Sequence, residues 1–343
     1  MLAAVEKELI LRAQELDNQR VETIYFGGGT PSLLSVEELN KIITVIQNNY
    51  NLATDLEVTL EANPDDLSIN YLRDLKQNTI INRLSIGLQS LVEADLEFMH
   101  RAHNAQEARQ CVEWALDLGF NLSVDLIYGS PNLSDEDWIN NLNFVFAHKI
   151  PHLSCYALTV EEKTALYFDI KNKKTAPLDE DKAARQFEIL LAEITKNGYE
   201  QYEISNFCRP PAYARHNTAY WQGKNYMGIG ASAHSFDGQK RRWNIANNAL
   251  YISNLNNGIA YYEEENLSTV DIFNEYLLTS LRTRWGASLE KLATFAEQAN
   301  SHFFDNLNKW ISAKMIAKSE THIFLTDAGK LLADQIISDL FAA

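Results

Sequence analysis

Between residues 22 and 158 the chain repeats one rhythm. A short run of alternating apolar and polar residues gives way to a longer run with helical spacing. The strand-like runs cover 22–26, 56–62, 83–87, 122–127 and 153–158. The helix-like runs cover 36–47, 67–77, 92–118 and 134–147, the third broken near His103-Asn104. Parallel neighbours need a long crossover, and a helix supplies it. The expected fold is therefore α/β, a parallel sheet with helices outside, as an open doubly wound sheet or a barrel. In both architectures ligands bind at the C-terminal ends of the strands. An amphipathic helix is expected over 1–16, with Val5, Leu9, Ile10 and Leu16 on one face, and the sequence shows no secretory leader before it.

Polar residues gather where that rhythm puts strand ends. The first strand runs into Phe26-Gly27-Gly28-Gly29-Thr30-Pro31-Ser32, and Ser35 with Glu38 forms a capping box for the helix that follows. Consecutive glycines leave backbone N–H and C=O groups bare to a ligand, although such a turn is equally ordinary loop chemistry. Glu61 ends the second strand-like run, and Gln89 follows the third. Arg101 lies one helix further on, and Asp125 interrupts the apolar run Val124-Asp125-Leu126-Ile127. A buried carboxylate there must be paired or bind something. Taken singly, each residue also reads as a solvated or structural side chain. Together they place glycine backbone, an amide, two carboxylates and a guanidinium at one rim. That set suits a zwitterionic, ribose-bearing ligand.

After Leu158 the rhythm breaks. A polar loop at Lys171–Lys174 precedes a long helix over 179–196. The stretch Arg215-His216-Asn217-Thr218-Ala219-Tyr220-Trp221 then offers an imidazole ligand for heme iron beside flat aromatic surface, or simply a structural turn. His234 is a further candidate of the same kind. Helices over 270–283, 288–298, 301–312 and 327–340 surround two short apolar runs at 315–317 and 322–325, a winged-helix-like pattern. A net charge of −16 argues against nucleic acid, and Lys309, Lys314 and Lys318 are too thin a basic stripe to change that. No apolar run is long enough to span a bilayer. The cysteines Cys111, Cys155 and Cys208 are widely spaced and odd in number. That excludes a disulfide framework and a sequence-local metal motif, and fits a reducing cytoplasm.

Six separated motifs in order carry a resemblance: Tyr25–Ser32, Leu60–Pro64, Arg83–Ser90, Asp125–Gly129, Tyr202–Phe207 and Arg215–Trp221. The chain resembles the HemW heme-chaperone family of the radical S-adenosylmethionine superfamily, often described as oxygen-independent coproporphyrinogen III oxidase-like. The resemblance implies a partial (β/α)6 barrel lacking its first strand over 1–170. An extension carrying the heme motif would cover 171–265, and a small winged-helix-like α+β domain 266–343. It implies that Gly28, Gly29 and Thr30 meet the amino group of S-adenosylmethionine, and that Glu61, Gln89, Arg101 and Asp125 hold its other polar groups. Ala157 would line the adenine. His216, Asn217 and Tyr220 would bind heme, with His216 the iron ligand.

The family also carries a Cys-x-x-x-Cys-x-x-Cys loop that holds a [4Fe–4S] cluster, and this sequence has no such triad. The expectation is an N-terminally truncated chain, a natural cluster-free member being the other reading. Its first strand would form an exposed sheet edge open to pairing. The implied activity is delivery of heme to an unidentified acceptor, without radical chemistry from this chain. Oxidative decarboxylation of coproporphyrinogen III and a cluster-free scaffold are the rivals. Expected partners are heme and the acceptor, with contact at a membrane surface and a homodimer also in view. Nucleic acid is not expected.

Overall fold

A computed structural model describes residues 1–295 and 297–342. Helix α1 (Leu2–Leu11) leads to five parallel strands joined by helices. These are β1 (Val21–Phe26), α2 (Val36–Asn49), β2 (Leu52–Ala62), α3 (Ile69–Asn78) and β3 (Arg83–Gln89). The series continues with α4 (Glu93–Phe98), α5 (Ala105–Asp117), β4 (Asn121–Tyr128), α6 (Asp135–Ala147) and β5 (His152–Ala157). After α7 (Ala165–Lys171) and α8 (Glu180–Lys196), the strands β6 (Glu200–Glu203) and β7 (Asn206–Cys208) return antiparallel. The sheet is a curled half-barrel of seven strands in the order β1-β2-β3-β4-β5-β7-β6, so β1 is an edge strand.

The two faces of the sheet differ because the strand period is two. Val58, Leu60, Leu84, Ile86, Leu122, Val124 and Leu153 join Leu39, Leu72, Val112, Trp138 and Leu190 of the covering helices in one core. The alternate residues, Glu57, Thr59, Glu61, Arg83, Ser85, Ser123, Asp125, His152 and Ser154, form a polar inner face. The predicted break near His103-Asn104 is real: Asn104 caps α5 through a capping box with Glu107.

Beyond β7 come α9 (Arg215–Trp221), β8 (His234–Phe236), β9 (Lys240–Asn244), α10 (Asn248–Asn257) and β10 (Tyr262–Asn266). The three strands form a small antiparallel sheet. A last compact unit contains α11 (Thr269–Leu281), β11 (Ala287–Ser288), α12 (Leu289–Ala293), α13 (Ser301–Ser312), β12 (Ile316–Lys318) and β13 (His322–Leu325). It closes with α14 (Asp327–Lys330) and α15 (Ala333–Asp339) around Phe273, Leu277, Phe303, Ile323 and Ile336. This is the expected winged-helix-like arrangement, with the last helix broken in two. No helix among the described residues is long and apolar enough to cross a membrane.

Helix α1 departs from its expected amphipathicity. Leu9 is buried, but Ile10 is 55% exposed, while Glu8 and Arg12 are almost wholly buried. The Glu8 carboxylate accepts from Gly230 N (2.8 Å), Asn244 Nδ2 (2.8 Å) and Tyr251 Oη (2.6 Å), and pairs with Arg12 at 3.2 Å. Arg12 donates onward to the Gly228 carbonyl (2.7 Å) and Ser235 Oγ (3.1 Å). The charged face of α1 is thus the clamp that holds the 228–251 region to the sheet. Removing one partner of a buried, fully bonded pair leaves the others uncompensated. Glu8→Ala is expected to lower unfolding free energy by about 3–5 kcal/mol, read as a lower urea midpoint at unchanged slope. A loss near zero would show that the clamp carries no stability.

Candidate functional site

At the C-terminal strand ends lies a pocket of about 190 Å³, lined among others by Gly29, Thr30, Glu61, Asn63, Ser85, Gly87, Gln89, Arg101 and Asp125. Six of the eight residues expected around S-adenosylmethionine therefore converge. Gly28 adjoins them, its N–H donating to Glu61 Oε2 at 3.2 Å. Ala157 ends β5 and does not line the pocket.

Local backbone produces this convergence. Gly28 and Gly29 have φ of +75° and +97°, and a Cβ on either would meet nothing within 4 Å, so the main chain lies open to the pocket. The β3–β4 register shifts between Ile86 and Gln89, and Gln89 itself has φ of +63°. That irregularity turns the Gln89 amide over Gly87, where a Cβ would sit 2.9 Å from Gln89 Nε2 and 3.6 Å from Arg101 Nη2. A side chain at residue 87 would therefore crowd the amide out. Arg101 Nη2 donates to Asn63 Oδ1 at 2.7 Å, while its Nε is buried without a partner. An unpaired buried guanidinium nitrogen, open glycine backbone and two carboxylates fit the amino acid and ribose parts of S-adenosylmethionine.

Burial pushes the Asp125 carboxyl up to about 6. The Glu61 charge adds to this, and the Ser154 hydroxyl and Arg83 oppose it.

The second expected constellation sits against the first. His216, on α9, stacks on Tyr25 of β1 with ring centroids 4.8 Å apart and planes at 18°. Tyr25 Oη donates to Glu61 Oε1 at 2.7 Å, so one tyrosine touches both the pocket carboxylate and the imidazole. Burial and the Glu61 charge push the Tyr25 phenol well up, keeping it a donor. An aromatic row continues from His216 to Tyr220 (5.3 Å), Tyr226 (4.2 Å further) and Phe236 (6.1 Å further). His216 Nδ1 lies 2.8 Å from Thr23 Oγ1, and its Nε2 makes no hydrogen bond among the described residues. Burial lowers the His216 pKa against the opposing pull of Glu57, so the ring is neutral at neutral pH. Asn217 Oδ1 is buried and unpartnered. Trp221 parts from the row, its ring facing Arg282 of the C-terminal unit at 5.5 Å. His234 is exposed at the start of β8, its ring stacked 6.5 Å from Trp243.

Two residues outside the six motifs, Glu57 and Thr23, build this site together with Tyr25, which opens the first motif. Glu57 accepts from the backbone N–H of Arg215 (3.2 Å) and His216 (3.0 Å), capping a helix whose own N-cap, Ala214, has no side-chain acceptor. Thr23 and Tyr25 hold the imidazole ring. Their signal was the strand period: Glu57 shares a face with Glu61, and Thr23 with Tyr25.

The cysteines do not fit an iron–sulfur cluster. They lie apart on α5, β5 and β7, all buried. Burial pushes the Cys111 and Cys208 thiols up to about 12 and Cys155 well above its usual range, whereas cluster ligands are thiolates. No cluster of His, Cys, Asp or Glu suited to a metal ion occurs among the described residues.

Comparison with known proteins follows this geometry. Residues 4–145 match the Radical SAM superfamily model. The "Heme chaperone HemW" of Mycobacterium tuberculosis is 33% identical over 99% of this chain and 85% of its own. This chain belongs to the HemW family. The Bacillus subtilis HemW is 32% identical over 98% of this chain and 89% of its own. A solved structure, the coproporphyrinogen III oxidase HemN of Escherichia coli, superposes with a TM-score of 0.83 at 21% identity, over 99% of this chain and 82% of its own. It shares the fold. That structural likeness agrees with the expected α/β fold and its curled half-barrel sheet.

The raised Asp125 carboxyl has a definite sign. Its ionisation is harder in the folded state, so it costs stability above about pH 6 and nothing below the unfolded value near 4. Asp125→Asn is expected to stabilise the protein by about 3 kcal/mol at pH 7.5, with the gain vanishing by about pH 4. Urea unfolding at the two pH values checks this, and an equal gain at both would contradict the assignment.

Proposed function

We propose that this chain binds heme through His216 and S-adenosylmethionine at the strand ends, and passes heme to an acceptor protein. The observation that carries the reading is the unbonded Nε2 of a neutral imidazole, set in a row of aromatic rings beside the pocket. A porphyrin is flat and apolar with a central iron that wants an imidazole nitrogen, and such a row offers both a ligand and stacking faces. Tyr220, one helical turn after His216, shares its face, and Asn217 on the same helix keeps an unsatisfied buried carbonyl.

Toward S-adenosylmethionine, the open main chain at Gly28–Thr30 suits the ammonium, Arg101 the carboxylate, and Glu61, Gln89 and Asp125 the ribose hydroxyls and remaining donors. Ala157 would flank the base. When bound, S-adenosylmethionine brings a reducible sulfonium. The buried thiols of this chain offer no cluster to reduce it.

Hemin titration tests the cargo site. His216→Ala should shift the Soret band and weaken binding by at least about tenfold, the scale of losing an anchoring ligand. An unchanged spectrum and affinity would overturn the reading. Calorimetry tests the nucleoside site independently of any turnover. Arg101→Ala should weaken S-adenosylmethionine about tenfold or more, since it removes a charge-assisted bond from a partly buried site. An unchanged affinity would remove Arg101 from that role.

A further inference from the structure

His216 is placed and turned by groups outside its own motif. Its helix starts where Glu57, on β2, receives the N–H groups of Arg215 and His216. Glu57 is itself backed by Arg83, 3.9 Å away and 2% exposed. The ring is then sandwiched by contacts from β1: Tyr25 covers one face, and Thr23 Oγ1 meets Nδ1. Of the two ring nitrogens, Nε2 makes no hydrogen bond among the described residues.

A neutral imidazole carries one proton. If Thr23 donated to Nδ1, that proton would sit on Nε2, and Nε2 could not bind a metal without first losing it. If Nδ1–H donates to Thr23 Oγ1, the Nε2 lone pair faces outward. A hydrogen bond at one ring nitrogen decides which nitrogen can be metallated. Thr23 is half-buried, and its hydroxyl makes no other hydrogen bond among the described residues, so it is free to act as acceptor and to turn its own hydrogen to water.

We propose that Thr23 is a positioning residue for heme capture, accepting the Nδ1 proton of His216 so that Nε2 is presented as the iron ligand. The proposal rests on the reading of His216 as that ligand. Nothing in the heptapeptide around His216 does this work, because the acceptor comes from the edge strand nearly two hundred residues earlier in the chain.

Two measurements on the full chain test it. The first needs no heme. In protein labelled with 15N-histidine, His216→Ala identifies the His216 ring signals. Wild type should show Nδ1 protonated and Nε2 bare. Thr23→Val should move the population toward Nε2–H, the form a free neutral imidazole favours in water, and Thr23→Ser should restore the wild-type pattern. Nε2–H in wild type would overturn the proposal.

The second measurement is hemin titration. Thr23→Val should weaken binding about 10- to 100-fold, the range found for outer-shell partners of metal ligands, and alter the Soret position and spin state. Thr23→Ser should recover both. If His216→Ala abolishes the spectrum while Thr23→Val leaves affinity and spectrum intact, the positioning role fails and the ligand assignment stands. If His216→Ala changes nothing, the ligand assignment itself fails, and the tautomer measurement still judges Thr23. Should Thr23→Val fail to fold, Thr23→Ala with the same serine control replaces it, with far-UV circular dichroism as the check.

Discussion

A single carboxylate joins the parts of this site. Glu57 lies on the inner face of the half-barrel, nearly out of reach of water, and its oxygens receive the first two N–H groups of α9. A buried carboxylate is costly unless it is bonded, and a helix start is costly unless its N–H groups are satisfied. Each meets the other's need, and the positive end of the helix favours the negative charge. Arg83 stands behind the pair. With α9 anchored in this way, His216 comes to rest on Tyr25, and Tyr25 reaches Glu61 at the pocket rim.

The same economy governs a second anchor. Helix α1 turns a buried Glu8–Arg12 pair toward the backbone of 228–230 and the side chains of Ser235, Asn244 and Tyr251. The extension that bears the aromatic row is thereby fixed to the sheet by polar contacts as well as apolar ones. Both anchors combine a buried carboxylate, a buried arginine and backbone donors from a distant segment.

Most of the architecture could be read from the sequence because it rests on local period. The strands, the Ser35–Glu38 box, the break before α5 and the rim residues Glu61, Gln89, Arg101 and Asp125 all follow from spacing or from turn chemistry. What could not be read were pairings across the chain. Glu8 and Arg12 look like the solvated face of an amphipathic helix, and only the fold reveals the donors that bury them. Trp221 looks like part of the same aromatic surface as Tyr220, but adjacent helical positions point about 100° apart, and it turns to Arg282 instead. Ile10, apolar and in register with Leu9, is left outside for the same reason. Glu57 and Thr23 were legible in principle, since they share faces with Glu61 and Tyr25, yet their role depends on a helix that arrives much later.

That lateness has a consequence for biogenesis. The segment that holds His216 has only seven helical residues, too few to be stable alone in water. Its cap, its tautomer-setting neighbour and its stacking partner are all made by the ribosome well before it. The imidazole therefore reaches its observed setting, the one proposed for iron binding, only once β1 and β2 are seated and α9 has closed a loop of about 160 residues onto them. A half-made or locally opened chain would display the histidine without the geometry to hold iron. Heme capture at His216, as proposed, would in this sense report that the barrel has finished folding.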